Sequence, residues 1–453
     1  MGADMAEVTS GTGIVIPQWS LLDGWLPLTV QGLAALAVLL VVVRRGRDWW
    51  TAWLPLAVLA GIATAFAVHA VAGAEGMLTD PAPAALWVWT AVTATAAVAV
   101  VAGWRARWWR RLTALAAVPL ALMSTVLVLN QWVGYLPTVA DAVADAAAAP
   151  LPDESGPDVS STASGPVPAH GRLVPVTIPS TASGFDHRQE LVYLPPAWFT
   201  GRDRTALPVV LMIGGEFSQP SDWPRTGDAV DTADRFAAAH HGLAPVLVFA
   251  DASGSFSTDT ECVNGTKGAA ADHLTKDVRP FVADHFGLST AAAHWGVAGF
   301  STGGTCAIDL TVMHPELFSA FDDIEGDLAP NTGTVSQTVS RLFGGDAAAY
   351  AAFDPAAVMA RHGTYTGTAG RFDESNGHTA SGATVPAAQR AAAFTLATHA
   401  RRAGIPVAVE QRTGGHNWQF AANAFGSALP WLVERLAGPV AEPRPGPTTN
   451  HGT

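Results

Sequence analysis

The first third of the chain is dominated by four long apolar runs with almost no charge. They cover roughly Trp25 to Val43, Trp53 to Ala74, Ala85 to Trp104 and Leu112 to Val133, the last reaching toward Leu136. A helix of about 20 apolar residues crosses the ~30 Å hydrocarbon layer of a bilayer. Each run is apolar on every face, so its helix has no polar side to turn to water, as a core helix of a soluble domain would. A cleaved signal peptide does not account for the first run, because no basic segment precedes it and three further runs follow. The expected arrangement is a four-span transmembrane anchor over residues 1–139.

Arginines orient these spans. Arg44, Arg45 and Arg47 lie between the first two runs, and Arg105, Arg107, Arg110 and Arg111 between the last two. No Lys or Arg precedes the first run or separates the second from the third. The positive-inside rule puts both arginine clusters in the cytoplasm. The N-terminus, the second loop and everything after the fourth run are then expected outside, with the protein in the plasma membrane. Trp49, Trp50, Trp104, Trp108 and Trp109 flank the arginines as interfacial anchors do. His69 is the one ionisable residue well inside a run, too little polarity for a transport pathway.

The composition agrees. The chain has 453 residues, 49% hydrophobic and 14% charged, with mean hydropathy +0.24. Net charge is −13, so nucleic acid is not an expected partner. There is no zinc-ligand spacing and no phosphate-binding G-x-x-x-x-G-K-[ST], so no cofactor or metal is expected. From about Ala140 to His170 the chain is rich in Ala, Pro, Ser, Asp and Gly, which reads as a flexible linker over 140–171. The tail, 439–453, reads as disordered.

Residues 172–438 read as one domain in which strands alternate with helices. Candidate strands are Leu173 to Ile178, Gln189 to Leu194, Val209 to Ile213, Val246 to Ala250, His294 to Phe300, Ala320 to Ile324, Gly363 to Ala369 and Val407 to Gln411. Candidate helices are Ala229 to His240, Leu274 to Phe286, Thr305 to His314, Pro386 to Ala403 and Gln419 to Leu436. The pattern predicts an α/β fold, a mostly parallel sheet with helices on both faces, in the α/β-hydrolase arrangement.

Gly299-Phe300-Ser301-Thr302-Gly303 fits this fold as the nucleophile elbow G-x-S-x-G, a sharp turn between a buried strand and a helix. Ligands bind beyond the carboxyl ends of such strands. His416, in Gly414-Gly415-His416-Asn417-Trp418 after the last strand, is the general-base candidate among 14 histidines. The order Ser, acid, His is that of α/β hydrolases. The acid is sought after the seventh strand, in Arg371-Phe372-Asp373-Glu374. Glu374 stands slightly ahead of Asp373, and both ahead of Asp327. Asp327 belongs to a second acidic cluster with Asp322, Asp323 and Glu325, after the preceding strand. The oxyanion hole is expected from the Thr302 and Glu216 amides. Gly215, Phe217 and Trp418 are expected to line the substrate site. Cys262 and Cys306 form either a disulfide or two separate buried thiols.

The elbow through His314-Pro315-Glu316-Leu317-Phe318, and His416-Asn417-Trp418, resemble the esterase-D-like α/β hydrolases, and among them the mycolyltransferase branch of actinobacterial cell envelopes. The resemblance runs from about Gln189 to Leu436. It implies a glutamate acid after the penultimate strand, hence the edge given to Glu374, and a Trp two residues after the histidine, matched by Trp418. Family members usually carry Asp-Gly and a basic residue where this chain has Gly214-Gly215-Glu216-Phe217, and they are secreted without spans. The expected activity is that of a membrane-anchored extracytoplasmic serine esterase or acyltransferase acting on an acyl ester, of lipid or sugar type. It would touch membrane lipid through its four spans. A serine peptidase and an inactive surface binding protein on the same scaffold are the alternatives.

Overall fold

The computed structural model describes residues 8–9, 15–43, 46–76, 81–102, 108–146, 151, 154, 167–201, 203–379 and 387–437. Arg44, Arg45, Trp104, Arg105, Arg107, most of the expected linker and the expected tail lie outside them, as do the side chains of 108–111.

The four apolar runs are helices: α1 Trp25–Val42, α2 Leu54–Glu75 (entered through a π-wound turn, Trp49–Trp53), α3 Ala84–Ala102 and α4 Trp108–Val133. All four are long and apolar enough to cross a membrane. They expose large side chains such as Leu28, Leu59 and Phe66, and most of the residues they bury are small. On α2 the buried residues are Ala57, Gly61 and Ala65, spaced one turn apart. A Cβ at Gly61 would stand 2.4 Å from the Ala91 carbonyl oxygen of α3. Backbones that close suit a medium in which packing and not water exclusion joins helices. His69 packs edge-on against Trp87 of α3.

The segment expected to begin a linker starts instead with a helix, α5, Val139–Ala146. Thr138 and Asp141 cap it reciprocally: the Thr138 amide donates to Asp141 Oδ2 at 3.0 Å and the Asp141 amide to Thr138 Oγ1 at 3.2 Å. Its alanine-rich composition supports a helix as readily as a linker.

The rest is built on eight strands: β1 Arg172–Val176, β2 Glu190–Leu194, β3 Val209–Ile213, β4 Val246–Phe249, β5 Trp295–Phe300, β6 Ala320–Ile324, β7 Ala369–Ser375 and β8 Val407–Arg412. Their order is β8-β7-β6-β5-β3-β4-β2-β1. β1 and β2 pair antiparallel, β2 runs antiparallel to β4, and the others are parallel. This is the α/β-hydrolase arrangement. Helices α6 Ala229–Ala239 and α10 Trp418–Leu436 cover one face, where Val230, Ala233, Ala424 and Phe425 meet Val210, Met212 and Ala298. Helices α7 Arg279–Phe286, α8 Thr302–Met313 and α9 Ala388–Arg402 cover the other, where Phe286, Ile308 and Leu396 meet Val209, Leu211 and Val297.

Two departures from the sequence expectation bear on the site. β7 lies six residues further along than expected, so Arg371, Asp373 and Glu374 are inside a strand and not in the loop beyond it. Charges in a strand read as loop. Here Arg371 and Arg412 neutralise Asp373 within the sheet, the latter at 2.8 Å. Between β6 and β7 three short helices, Val335–Phe343, Ala347–Phe353 and Pro355–His362, were not anticipated. Each begins at a side-chain cap (Thr334, Asp346, Asp354).

The two parts touch. Tyr135, just past α4, donates to Asp222 Oδ1 at 2.8 Å, and Gln419 Nε2 donates to the Gly134 carbonyl at 2.8 Å. Gly76, at the end of α2, lies against Thr332 and Arg341.

Candidate active site

Ser301 sits at the turn from β5 into α8 with φ 58° and ψ −124°, a left-handed backbone that a non-glycine residue adopts only when its surroundings impose it. The glycines explain how. A Cβ at Gly299 would fall 2.0 Å from the Gly303 carbonyl oxygen, and one at Gly303 would fall 2.2 Å from that of Ile213. Strand, helix and the end of β3 are thus in backbone contact, and the Ser301 amide donates to the Ile324 carbonyl at 2.9 Å. The turn has no other room, so the hydroxyl projects from its apex.

His416 stands where the sequence order required. Its Nε2 is 3.0 Å from Ser301 Oγ. Its ring packs on Phe300, and Asn417 next to it caps α10 by accepting from the Phe420 amide at 3.0 Å. Nδ1 faces Glu325 Oε2 at 3.1 Å, an ion-pair contact without the alignment of a hydrogen bond. Such loose geometry is common in unliganded sites.

The acid against the histidine is therefore Glu325, and neither Glu374, Asp373 nor Asp327. Glu325 follows β6 with φ 50°, its amide donating to the Asp373 carbonyl at 3.1 Å. The Ser375 amide donates to Glu325 Oε1 at 3.0 Å, which leaves Oε2 for His416. Asp323 shapes the same turn by accepting from the Gly326 amide at 2.8 Å. Burial pushes the Asp323 carboxyl up to about 8, with Asp327 and Asp373 adding to the rise against that hydrogen bond.

The rejected candidates have other surroundings. Asp373 is committed to Arg371 and Arg412. Glu374 is fully buried, and neither of its oxygens accepts a hydrogen bond. Burial, and then Asp323, Glu325 and Asp373, raises its carboxyl well above the usual range. Asp327 accepts from Asn331 Nδ2 at 3.1 Å.

Thr302 is the first residue of α8, so its amide has no partner within the helix. Its hydroxyl donates to Glu261 Oε1 at 3.3 Å. The sequence reading missed Glu261. It is buried with φ 51°, beside Cys262, which forms a disulfide with Cys306 of α8. Gly215 packs on the nucleophile, a Cβ there standing 3.1 Å from Ser301 Cβ, so the Glu216 amide follows on the loop beside Ser301. Burial, then Asp259, pushes the Glu216 carboxyl up to about 7 against the pull of Lys267. Phe217 pairs with exposed Phe256 at the rim, ring centroids 5.5 Å apart. Trp418 is not a lining residue. It is 2% exposed and wedged between Trp223 and Phe300, where its bulk supports the ring that supports His416.

Comparison with known proteins identifies the family. The sequence profile of the Esterase family matches residues 186–432. An uncharacterized protein of Corynebacterium glutamicum is 32% identical over 278 residues, 58% of this chain, which spans 62% of that relative's length. Among solved structures, a ferulic acid esterase is 16% identical with TM-score 0.47, covering 59% of this chain and 99% of its own. An S-formylglutathione hydrolase of Agrobacterium tumefaciens is 16% identical with TM-score 0.47, over 60% and 98%. MPT51 (FbpC1) of Mycobacterium tuberculosis is 17% identical with TM-score 0.40, over 58% and 99%. The chain belongs to the Esterase family.

Proposed function

We propose that this member of the Esterase family is a membrane-anchored, extracytoplasmic esterase or acyltransferase working through Ser301, His416 and Glu325. The observation that carries the reading is the relay of contacts, 3.0 Å from Ser301 Oγ to His416 Nε2 and 3.1 Å from His416 Nδ1 to Glu325. His416 takes the Ser301 proton as the oxygen attacks the acyl carbonyl. Glu325 holds the ring and balances the imidazolium that results. The Thr302 and Glu216 amides face the oxyanion as charge develops on it. The intermediate collapses as His416 returns the proton to the leaving alcohol, which leaves an acyl-enzyme. Water or a second alcohol, deprotonated by His416, then takes the acyl group.

Location and substrate rest on further observations. The arginine distribution supports an outside position for the α/β domain, and a Cys262–Cys306 disulfide suits an oxidising compartment. Gly134 and Tyr135 hold the His416 and Gln219 loops against the outer ends of the helices. That placement favours esters at the membrane surface, of cell-envelope lipid or sugar type. The disposition of residues 1–139 as anchor and 172–438 as catalytic unit belongs to the same proposal.

The test is a burst experiment on the full chain in detergent. p-Nitrophenyl esters of graded chain length are supplied with and without trehalose or simple alcohols, beside Ser301→Ala. A nitrophenol burst absent from Ser301→Ala supports the acyl-enzyme, and faster turnover with an alcohol makes the protein a transferase. No release above that background, and no labelling by a fluorophosphonate, would leave a binding protein.

A further inference from the structure

Away from Ser301, the start of β2 and the π-wound segment His273–Val278 ahead of α7 bring His187, Glu190 and His273 together. One ligand-type atom from each lies within 4.8 Å of the others. Glu190 and His273 are fully buried, and His187 stacks on His273 with ring centroids 4.3 Å apart.

Counting donors and acceptors shows that the two neutral rings lack positive charge for the acceptors around them. His187 Nε2 is 2.8 Å from the Ile178 carbonyl oxygen, which can only accept, so Nε2 carries the ring proton. The Nδ1 lone pair of the neutral ring then faces two more acceptors, the Arg188 carbonyl at 2.9 Å and Glu190 Oε2 at 3.6 Å. His273 repeats the pattern. Its Nδ1 faces Asp277 Oδ2 at 3.4 Å and its Nε2 faces Glu190 Oε1 at 3.0 Å, so a single ring proton leaves one lone pair against a carboxylate. The Asp251 amide reaches Glu190 Oε1 at 3.2 Å, but Glu190 Oε2 accepts no hydrogen bond. Two imidazole rings and a buried carboxylate crowd together here, a costly arrangement unless a second ring proton or a metal cation enters it.

We propose that His187 Nδ1, His273 Nε2 and Glu190 form a site for a divalent transition-metal ion of the zinc class. Tetrahedral bonds of about 2.0–2.1 Å put ligand atoms about 3.3 Å apart. The spacings of 3.0 Å from His273 Nε2 to Glu190 Oε1 and 3.6 Å from His187 Nδ1 to Glu190 Oε2 bracket that value, and the three ligand atoms lie within 4.8 Å of one another. Two imidazoles select zinc over magnesium or calcium. The Ile178 carbonyl on one ring and Asp277 on the other are the outer partners that orient metal-bound imidazoles.

The ion positions; it does not touch the reacting atoms. Arg188, between two of the ligands, pairs with Asp251 at 2.6 Å and donates to the Ser218 carbonyl at 2.7 Å. Ser218 closes the turn that begins at Gly215, its amide donating to the Gly215 carbonyl at 3.2 Å. Asp277 also accepts from the Ala182 and Ser183 amides at 2.8 and 3.2 Å. A metal here fastens the 178–188 loop to β2 and α7, and steadies through Arg188 the loop beside the nucleophile. The sequence carried only a His-x-x-Glu pair, with the third ligand far along the chain, and no motif flags that spacing.

The test is metal content of the full chain, purified in detergent without a polyhistidine tag or chelator. Mass spectrometry should find one zinc per chain. His273→Gln and Glu190→Gln should lower that content about tenfold or more. Ser301→Ala should keep the zinc, which separates this test from that of the esterase reading. Should the variants fail to fold, the wild-type protein still decides. Chelation should lower its Tm by several degrees, and one equivalent of zinc should restore it. Cobalt exchange should give visible bands. A wild-type protein with under ~0.1 equivalent of metal from zinc-supplemented growth, and a Tm unmoved by zinc or chelator, would overturn the proposal. The two rings would then each carry a second proton.

Discussion

Two histidines of the α/β domain lie almost equally close to a glutamate: His416 is 3.1 Å from Glu325, and His273 is 3.0 Å from Glu190. Their surroundings differ. His416 is 19% exposed, stands at the carboxyl ends of the strands and turns its other nitrogen to a serine hydroxyl. His273 is wholly enclosed, stacks on a second imidazole and turns its other nitrogen to a second carboxylate. The first ring stands beside a hydroxyl at the strand ends, and the second is enclosed among acceptors. A His–Glu distance alone therefore does not identify chemistry; the group on the opposite ring nitrogen does.

The sharpest way to break this contrast is at the serine. Ser301→Ala should lower ester turnover about 10⁴-fold or more while leaving Tm within a few degrees, read by steady-state and burst kinetics. Glu325→Gln should follow at about 10⁴-fold, because the wrong tautomer and an unbalanced imidazolium remain. If Glu374→Gln showed that loss in place of Glu325→Gln, the acid assignment made here would be wrong.

Reduction of Cys262–Cys306, or replacement of both cysteines by serine, should destabilise the domain by about 2–4 kcal/mol in denaturant titrations. Turnover should fall much less than in Glu325→Gln, because the disulfide fastens the Glu261 loop to α8 and not the relay itself.

The smallest effect on turnover belongs to Glu374→Gln, expected within about threefold of wild type, but it should show in stability. The folded carboxyl titrates well above its ordinary 4.5, chiefly through burial. Above that ordinary value the folded state then binds more protons than the unfolded one, and wild-type stability falls as pH rises. Glu374→Gln removes that loss, so the Tm difference, variant minus wild type, should grow with pH from about 4.5 upward. A difference independent of pH would mean that Glu374 ionises normally.

Much of this was legible in the chain. The four long apolar helices could be read because every face of those runs is apolar, and β3 and β6 lie where the pattern put them. Ser301 and His416 could be read because an elbow needs glycines at set offsets and the base follows the last strand. Glu325 is in view within its acidic cluster, but the charges of β7 read as loop and the family habit points beyond it. Trp418 followed the histidine as the family pattern implied, yet its ring turned into the core.

The sequence by itself determined what is local or periodic: helices with no polar face, strands of buried residues, a turn that only glycine neighbours permit. These follow from backbone sterics and side-chain hydration, which act over a few residues. The tertiary structure alone decided which of several acids reaches His416, that the two cysteines meet, and that His273 closes on Glu190, 83 residues before it. Those choices depend on strand register and on which carboxylates the sheet has already neutralised, as Arg371 and Arg412 neutralise Asp373. Buried charges are too costly to leave unpaired, and their partners come from distant parts of the chain.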